Sequence, residues 1–157
     1  MRILVTFATG YGCTEKCANT LRDKLDGTIV LHNLKNGKRK DLDSFDTIIL
    51  GGSIRAGRVQ RRVKQFCENN RSLLKSKKLG LFLCCMEEGE NGWKQFNDAY
   101  PADLRDHAAA KGLFGGEFHF EKMDPVTKAI IKKMAKTDEN ISTLSENNID
   151  SFAKQMK

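Results

Sequence analysis

The sequence predicts a doubly wound α/β domain, a five-stranded parallel sheet of strand order 2-1-3-4-5 with helices on both faces. Short apolar runs alternate along the chain with segments whose apolar residues recur at helical spacing. The first apolar run ends in a turn rich in glycine and threonine, residues 8–14, that leads into a helical segment. The length of 157 residues suits a single domain, 1–157, with a sheet covered on both faces.

The first half of the chain is expected to contain three strands and two helices. Strand one is almost wholly apolar or β-branched, as a strand buried on both faces should be. Helix one carries Leu21 and Leu25 at helical spacing, and Gly27 follows its end. The expected elements are strands at 2–7, 28–31 and 46–52 and helices at 14–25 and 59–69.

The second half continues the alternation and ends in two helices. A strand at 79–85, a helix at 93–109 and a strand at 112–120 are expected in that order. Pro125 suits the first turn of the next helix. The apolar faces of the two C-terminal helices would be formed by Val126, Ile130, Ile131 and Met134 and by Ile149, Phe152, Ala153 and Met156.

The net charge and the lengths of the apolar runs indicate which classes of binding partner to expect. The net charge is +7, from 27 basic and 20 acidic residues, which would suit an acidic partner. Basic residues are not interleaved with aromatic ones, so no nucleic-acid partner is expected. No apolar run approaches the roughly 18 to 20 residues that span a bilayer, and the N-terminus lacks a signal-peptide pattern. We therefore expect a cytoplasmic protein whose membrane contact is at most peripheral.

The five cysteines are at positions 13, 17, 67, 84 and 85. An odd count with an adjacent pair does not indicate a disulfide framework, so reduced thiols are expected. The chain has neither a C-x2-C motif nor a pair of cysteine and histidine at zinc-binding spacing. The spacing therefore predicts no metal centre, and no residue is assigned a catalytic role.

The turn after strand one has the composition of an anion-binding site. Thr9 and Thr14 supply hydroxyl groups, while Gly10 and Gly12 let backbone amides approach a ligand closely. The amides would lie at a helix N-terminus, where the helix dipole favours an anion, and at the switch point of the sheet. The turn contains no Lys or Arg, so it predicts a phosphate held by neutral donors. A tight turn without a ligand is the alternative.

Other phosphate-binding loops are excluded by residues that this turn lacks. A Walker loop needs a lysine after its last glycine, and none is present. The dinucleotide fingerprint needs a third glycine, where this chain has Glu15. A low-molecular-weight phosphatase loop needs a cysteine and an arginine six positions apart, and neither Cys13 nor Cys17 has that arginine. A receiver domain would need paired acids at the end of strand one, and this chain has none there.

Two loops and the tail of the chain resemble the flavodoxin family. The resemblance is carried by TFATGYGCTEK at 6–16, GGSIRAG at 51–57, and the tail at 123–134 and 150–156. It is strongest to the branch that contains the menaquinone-dependent protoporphyrinogen dehydrogenases. The resemblance implies a flavodoxin-like fold and flavin mononucleotide (FMN) as the cofactor. It places the FMN phosphate at Ala8, Thr9, Gly10, Tyr11, Gly12, Cys13 and Thr14.

The resemblance also places the loop after strand three beside the flavin ring, at Ser53, Ile54, Arg55, Ala56 and Gly57. In flavodoxins a peptide here turns to offer a carbonyl group to flavin N5 upon reduction, and Gly57 would tolerate the positive φ that this requires. Cations at Arg55 and Arg58 would favour the reduced, anionic flavin. The alternative for Arg58, as for Arg61, Arg62 and Lys64, is the solvated face of a helix.

Cys85 and Met86 follow strand four and are expected to reach the pyrimidine edge of the flavin. Trp93 and Tyr100 lie farther along the chain, and either could stack on a flavin face. For Trp93 a position in the core or at a helix end is an equally good interpretation.

Two functions from different classes fit these expectations. The first is an FMN-binding redox protein that carries electrons between partner proteins. The second is a flavin-dependent oxidoreductase that resembles protoporphyrinogen dehydrogenase and passes electrons to a quinone or another small acceptor. A third interpretation, a regulatory domain that binds another phosphate, needs no flavin.

Overall fold

Among its described residues, the main sheet of the computed structural model contains six strands. The described residues are 1–10, 12–36, 41–55, 57–118, 125, 126, 129 and 141–157. The strands are β1 (Arg2–Phe7), β2 (Thr28–Asn33), β3 (Thr47–Arg55), β4 (Arg58–Val59), β5 (Lys78–Cys84) and β6 (Ala110–Leu113). Five of them are parallel in the order β2-β1-β3-β5-β6, while β4 forms an antiparallel hairpin with β3. Without the hairpin strand this is the predicted order 2-1-3-4-5, which is confirmed.

Five of the six described helices lie between strands along the chain, and the last one follows the final strand. They are α1 (Cys13–Lys24), α2 (Arg61–Asn69), α3 (Arg71–Ser76), α4 (Gly89–Ala99), α5 (Ala102–His107) and α6 (Glu146–Gln155). Two short 3-10 turns, Leu34–Asn36 and Leu42–Ser44, join β2 to β3. Among the described residues no helix is both long and apolar enough to cross a membrane.

Each face of the sheet has its own hydrophobic core, because successive side chains of a strand point to opposite faces. In β1, Leu4 packs into the core under α2 to α5, whereas Val5 packs into the core under α1 and α6. The predicted C-terminal face of Ile149, Phe152, Ala153 and Met156 is buried in the second core. The helices therefore cover both faces of the sheet, as predicted.

A close contact at Gly51 joins β3 to β5. A Cβ atom at Gly51 would lie 2.0 Å from Cζ of Phe82, so the Phe82 ring occupies the space where a side chain would be. This ring stacks on Phe114 with centroids 4.6 Å apart and meets Phe152 edge to face. Gly51 is therefore needed because the aromatic cluster covers it.

Two expected elements are divided in the structure. The helix expected at 93–109 is interrupted at Tyr100 and Pro101, because the residue before a proline is pushed to extended angles and Pro has no amide hydrogen. The strand expected at 112–120 ends at Leu113. A separate strand, β7 (Glu117–Phe118), then pairs with β8 (Ile141–Ser142) in a second small sheet.

The break in this last strand lies at Gly115, which has φ +85. A Cβ there would lie 2.0 Å from the carbonyl oxygen of Thr143, so the two backbones are in close contact. The helix α3 was not expected from the sequence. The helix expected from Pro125, with Ile130, Ile131 and Met134 on its face, lies almost entirely outside the described residues.

Candidate functional site

The candidate site lies at the carboxyl end of the central strands. β1 pairs with β3 as far as Phe7 and Gly51, and the amide of Ala8 then donates to the carbonyl of Gly51 at 3.2 Å. Beyond this point β1 turns away into α1, while β3 continues beside β5. The divergence opens the crevice in which ligands of doubly wound sheets bind. The predicted anion-binding turn therefore lies at the switch point.

The turn leads into the N-terminus of helix α1. Gly12 is the N-cap of α1 and has φ 94 and ψ −6, a left-handed conformation that favours glycine. Its amide donates to Oγ1 of Thr9 at 2.9 Å, which holds the turn in shape. Within the described ranges, no side chain caps α1. Helix geometry leaves the amides of Thr14 and Glu15 without an intrahelical acceptor, so they can bind an anion.

Thr14 adds a buried hydroxyl group to this helix end. Its side chain is fully buried, and among the described residues its Oγ1 has no hydrogen-bond partner. An unpartnered buried hydroxyl typically costs about 1–3 kcal/mol. A ligand oxygen that accepted this hydrogen bond would remove the cost. The donors present therefore fit a phosphate group.

A cavity of about 320 Å³ adjoins the turn and is strongly cationic. Its walls contain Ala8, Thr9 and Gly10 from the turn and Lys35, Arg55, Arg61 and Arg62 from three other segments, together with Asn33 and Gln60. None of these lining residues is acidic. Arg55 lies next to the turn, because its Cδ would be 4.0 Å from a Cβ at Gly10. Arg61 and Arg62 are exposed on the first turn of α2, as the interpretation of a solvated helix face expects, and both also border this cavity.

The loop expected at 53–58 is a tight hairpin. Ser53 to Arg55 continue β3, and Ile54 pairs with Val59 while Arg55 pairs with Arg58. The side chain of Gln60 fixes the hairpin by accepting from the Ser53 amide at 2.9 Å and donating to the Ser53 hydroxyl. Gly57 has φ +78 with open space around it, as its predicted role requires. The assignment of 53–55 to a loop is corrected, because these contacts extend the strand.

Cys85, Met86 and Trp93, the residues after strand four that were expected near the flavin, lie in different surroundings. Cys85 is buried in the first core, and burial raises the pKa of its thiol to about 11. The sulfur of Met86 lies 3.8 Å from the hydroxyl of Thr143. Trp93 is 40% exposed and packs edge to face on Phe96. It lines a second cavity of about 450 Å³, so the structure does not bring it to the 8–14 turn.

Tyr100 is not available to a flavin. Its side chain is buried, and its hydroxyl donates to the carbonyl of Phe82. Burial raises the pKa of Tyr100 well above its usual value. The interpretation of Tyr100 as a residue that stacks on a flavin is wrong, because its side chain is buried in the first core.

The structure gathers three cysteine side chains that sequence spacing did not connect. Cys13 and Cys17 lie one turn apart on α1, and the sulfur of Cys84 on β5 lies 3.6 Å from that of Cys17. Hydrogen bonding to the thiols of Cys13 and Cys17, together with burial, raises the pKa of the Cys84 thiol well above its usual value. Cys84 is 67 residues from Cys17, so no local motif could have revealed the cluster.

Ser53, Ile54 and Gly57 lie in the β3–β4 hairpin, and the other predicted site residues fall into three groups. The structure brings together Ala8, Thr9 and Gly10 with Arg55, next to Gly12, Cys13 and Thr14 at the start of α1. It places Cys85, Met86 and Trp93 in other surroundings. Tyr11 and Ala56 lie outside the described residues. Lys35, Arg61 and Arg62 were not predicted as site residues, although their positive charges were visible in the sequence.

A family model described as a flavodoxin domain matches residues 4–144. The chain belongs to the flavodoxin domain family. No curated protein sequence matches the chain.

Solved flavodoxins share the fold at low sequence identity. Flavodoxin 2 from Bacillus cereus has a TM-score of 0.60 at 18% identity, with 99% of this chain and 97% of that chain covered. The flavodoxin of Streptococcus pneumoniae TIGR4 has a TM-score of 0.56 at 15% identity, with 99% and 97% covered. The two-electron reduced flavodoxin of Megasphaera elsdenii has a TM-score of 0.56 at 21% identity, with 86% and 99% covered. The flavodoxin-like α/β fold is thereby confirmed.

Proposed function

We propose that this protein binds FMN at the 8–14 turn and transfers electrons between redox partners. The observation that carries the proposal is the buried hydroxyl of Thr14 at the N-terminus of α1, which has no hydrogen-bond partner in the part of the chain that the structure describes. Membership of the flavodoxin domain family supports FMN as the group that supplies the phosphate. The seven residues from Ala8 to Thr14 would hold this phosphate.

The described part of the turn would bind the phosphate through neutral donors. Backbone amides at the start of α1 and the hydroxyl of Thr14 would donate to its oxygens, and the helix dipole would stabilise its charge. Gly10 leaves room for this approach, since a Cβ there would meet only Cδ of Arg55, at 4.0 Å. Arg55, Lys35 and Arg61 would add longer-range attraction from the cavity wall.

Bound FMN would supply the electron chemistry, while the protein supplies binding, orientation and electrostatics. Ser53 to Gly57, Cys85 and Met86 are proposed neighbours of the ring. Trp93 keeps this role only as a prediction, because it lines another cavity. The cationic cavity and the net charge of +7 favour acidic redox partner proteins.

A quinone-linked oxidoreductase of the protoporphyrinogen dehydrogenase type is a second candidate. The observation that favours it is the cavity whose described lining contains four cationic residues and no acidic one, which would suit a substrate with several carboxylates. Oxidation of protoporphyrinogen with a menaquinone analogue as acceptor would distinguish this enzyme from an electron carrier. The carrier would transfer electrons between proteins and leave that substrate unchanged.

Flavin titration of the purified protein tests the proposed function. We expect FMN to bind with one molecule per chain and to lose its fluorescence. Riboflavin, which lacks the phosphate, should bind at least about tenfold more weakly, because a charge-assisted hydrogen bond contributes roughly 1.5–3 kcal/mol.

Two variants at one position locate the phosphate. Thr14→Val keeps the shape of the side chain and removes its hydroxyl. It should therefore weaken the binding of FMN but leave the affinity for riboflavin unchanged. Thr14→Ser keeps the hydroxyl and should bind FMN nearly as the wild type does. A protein that contains no flavin and takes up no added FMN would contradict the proposal.

A further inference from the structure

Three cysteine sulfurs converge at the start of α1 from two elements. Cys13 opens the helix, Cys17 follows one turn later, and Cys84 is the last residue of β5. All three sulfur atoms lie within 4.8 Å of one another. The three thiols therefore face a common point, which a core built only for packing does not require.

We propose that Cys13, Cys17 and Cys84 together bind one thiophilic metal ion of the Zn²⁺ class. A zinc–sulfur bond is about 2.3 Å long, so three sulfurs around one ion lie about 3.8 to 4.0 Å apart. The separation of 3.6 Å between Cys17 and Cys84, and the limit of 4.8 Å for the whole cluster, bracket that value. Small side-chain movements would therefore complete the site.

The surroundings of the cluster allow both entry and retention of an ion. Cys17 and Cys84 are buried, at 0% and 2% exposure, whereas Cys13 is half-buried. An ion can therefore reach the cluster past Cys13 and be held by the two buried sulfurs. Three protein ligands leave a fourth position of a tetrahedral ion open on the Cys13 side.

The charges balance when the thiols bind as thiolates. Each thiol loses its proton as its sulfur–metal bond forms, so a divalent ion with three thiolates has a net charge of −1 and three protons are released. No electron is transferred. The partial positive charge at the N-terminus of α1 stabilises this negative charge, because Cys13 lies in the first turn.

The other two cysteines provide a comparison within the same chain. Cys67 and Cys85 are buried in the opposite core. Among the described residues they are not in any group of three metal-ligating side chains. Cys67 lies on α2, and it therefore serves as the matched control, a buried thiol outside the cluster.

A cadmium titration of the purified, reduced, metal-free chain tests the site. Cd²⁺ is the probe, because its bonds to thiolates give an ultraviolet charge-transfer band that grows with each thiolate bound. We expect saturation at one Cd²⁺ per chain, an amplitude corresponding to three thiolates, and displacement by Zn²⁺. Cys84→Ala should lower the affinity by about a hundredfold or more, while Cys67→Ala should bind as the wild type does.

The same titration can overturn the proposal. It fails if the wild type shows no saturable band, or if Cys84→Ala and Cys13→Ser keep the full amplitude. Cys13 is half-buried, so Cys13→Ser decides the question if Cys84→Ala does not fold. The experiment uses no flavin, so its result is independent of the proposed FMN binding.

Discussion

Arg55 and Arg58 face each other across the β3–β4 hairpin, but only Arg55 lines the cationic cavity. A unit charge about 5 Å from a reduced flavin contributes on the order of 3 kcal/mol at an effective dielectric of 20. Both arginines are exposed, so solvent screening reduces this to a fraction. The sign does not change, because a cation favours the reduced anion.

Arg55→Ala should therefore lower the reduction potential of bound FMN. Arg58→Ala removes an equal charge from the same hairpin outside the cavity, and it should have a clearly smaller effect. Redox potentiometry of the two variants and the wild type measures both. Equal shifts in the two variants would show that general surface charge, and not the position of Arg55, controls the potential.

Gly51 gives a second prediction at the scale of one residue. Gly51→Ala places a Cβ 2.0 Å from the Phe82 ring, which must then leave its stack on Phe114. Overpacking of this kind costs about 1–3 kcal/mol, occasionally more. We expect the free energy of unfolding in urea to fall by about 3 kcal/mol.

A second substitution shows whether this contact is the cause. Phe82→Leu shortens the side chain opposite Gly51, so Gly51→Ala should cost less in that background than in the wild type. A double-mutant cycle in urea measures the difference. Strictly additive costs would mean that the steric contact does not explain the loss.

At the scale of elements, local patterns predicted β1, α1 and the turn between them. The apolar run and the helical spacing of Leu21 are properties of neighbouring residues, and β1 was expected at 2–7, where it is observed. The break between α4 and α5 could also have been predicted, since Pro101 is visible in the sequence. What local patterns could not show was the extension of β3.

That extension depends on contacts between segments. β3 continues to Arg55 because Val59 pairs with Ile54 and Gln60 holds Ser53. The three-cysteine cluster depends on α1 packing against the end of β5, which no spacing rule contains. Lys35 enters the cavity wall for the same reason, because the turn after β2 meets α2 only in the folded chain.

One helix end combines the two proposed sites, and this leads to a prediction. The proposed metal cluster would place a net charge of −1 at the start of α1, where the FMN phosphate is proposed to bind. Zn²⁺ should therefore weaken FMN binding by about tenfold, which is a coupling free energy of ~1.4 kcal/mol. Because such coupling is reciprocal, FMN should weaken Zn²⁺ binding by the same factor.

Flavin titrations with and without saturating Zn²⁺ measure this coupling. Riboflavin has no phosphate, so its affinity should change less. The Cys84→Ala variant should bind FMN equally with and without the ion. If Zn²⁺ binds and the FMN affinity stays the same, the two sites are too far apart to interact.

At the scale of the whole molecule, buried thiols lie in both cores. Cys17 and Cys84 belong to the core under α1 and α6, and Cys67 and Cys85 to the opposite core. The five cysteines, all among the described residues, form no disulfide. Burial raises the pKa of Cys67 from 9.0 to about 12 and that of Cys85 to about 11. The folded state therefore holds these protons more tightly than the unfolded state does.

The sign of the resulting pH dependence follows from the raised pKa values. The stabilisation is fully present below the unfolded thiol pKa of 9.0 and is lost as the pH rises towards 11 and 12. Each such thiol lowers the free energy of unfolding by about 1.4 kcal/mol per pH unit in that window. The protein should therefore lose stability steeply in mild alkali.

Cys67→Ala tests this in urea unfolding experiments with a reductant present at pH 7, 9, 10 and 11. The variant should be less stable than the wild type at pH 7, because it leaves a small cavity. The difference should shrink by about 1.4 kcal/mol per unit above pH 9, since the variant has lost one titrating thiol. Val63→Ala shortens a buried side chain on the same helix without removing a thiol. Its free energy of unfolding, plotted against pH, should therefore run parallel to that of the wild type. If the Cys67→Ala curve is also parallel, the alkaline loss of stability does not come from Cys67.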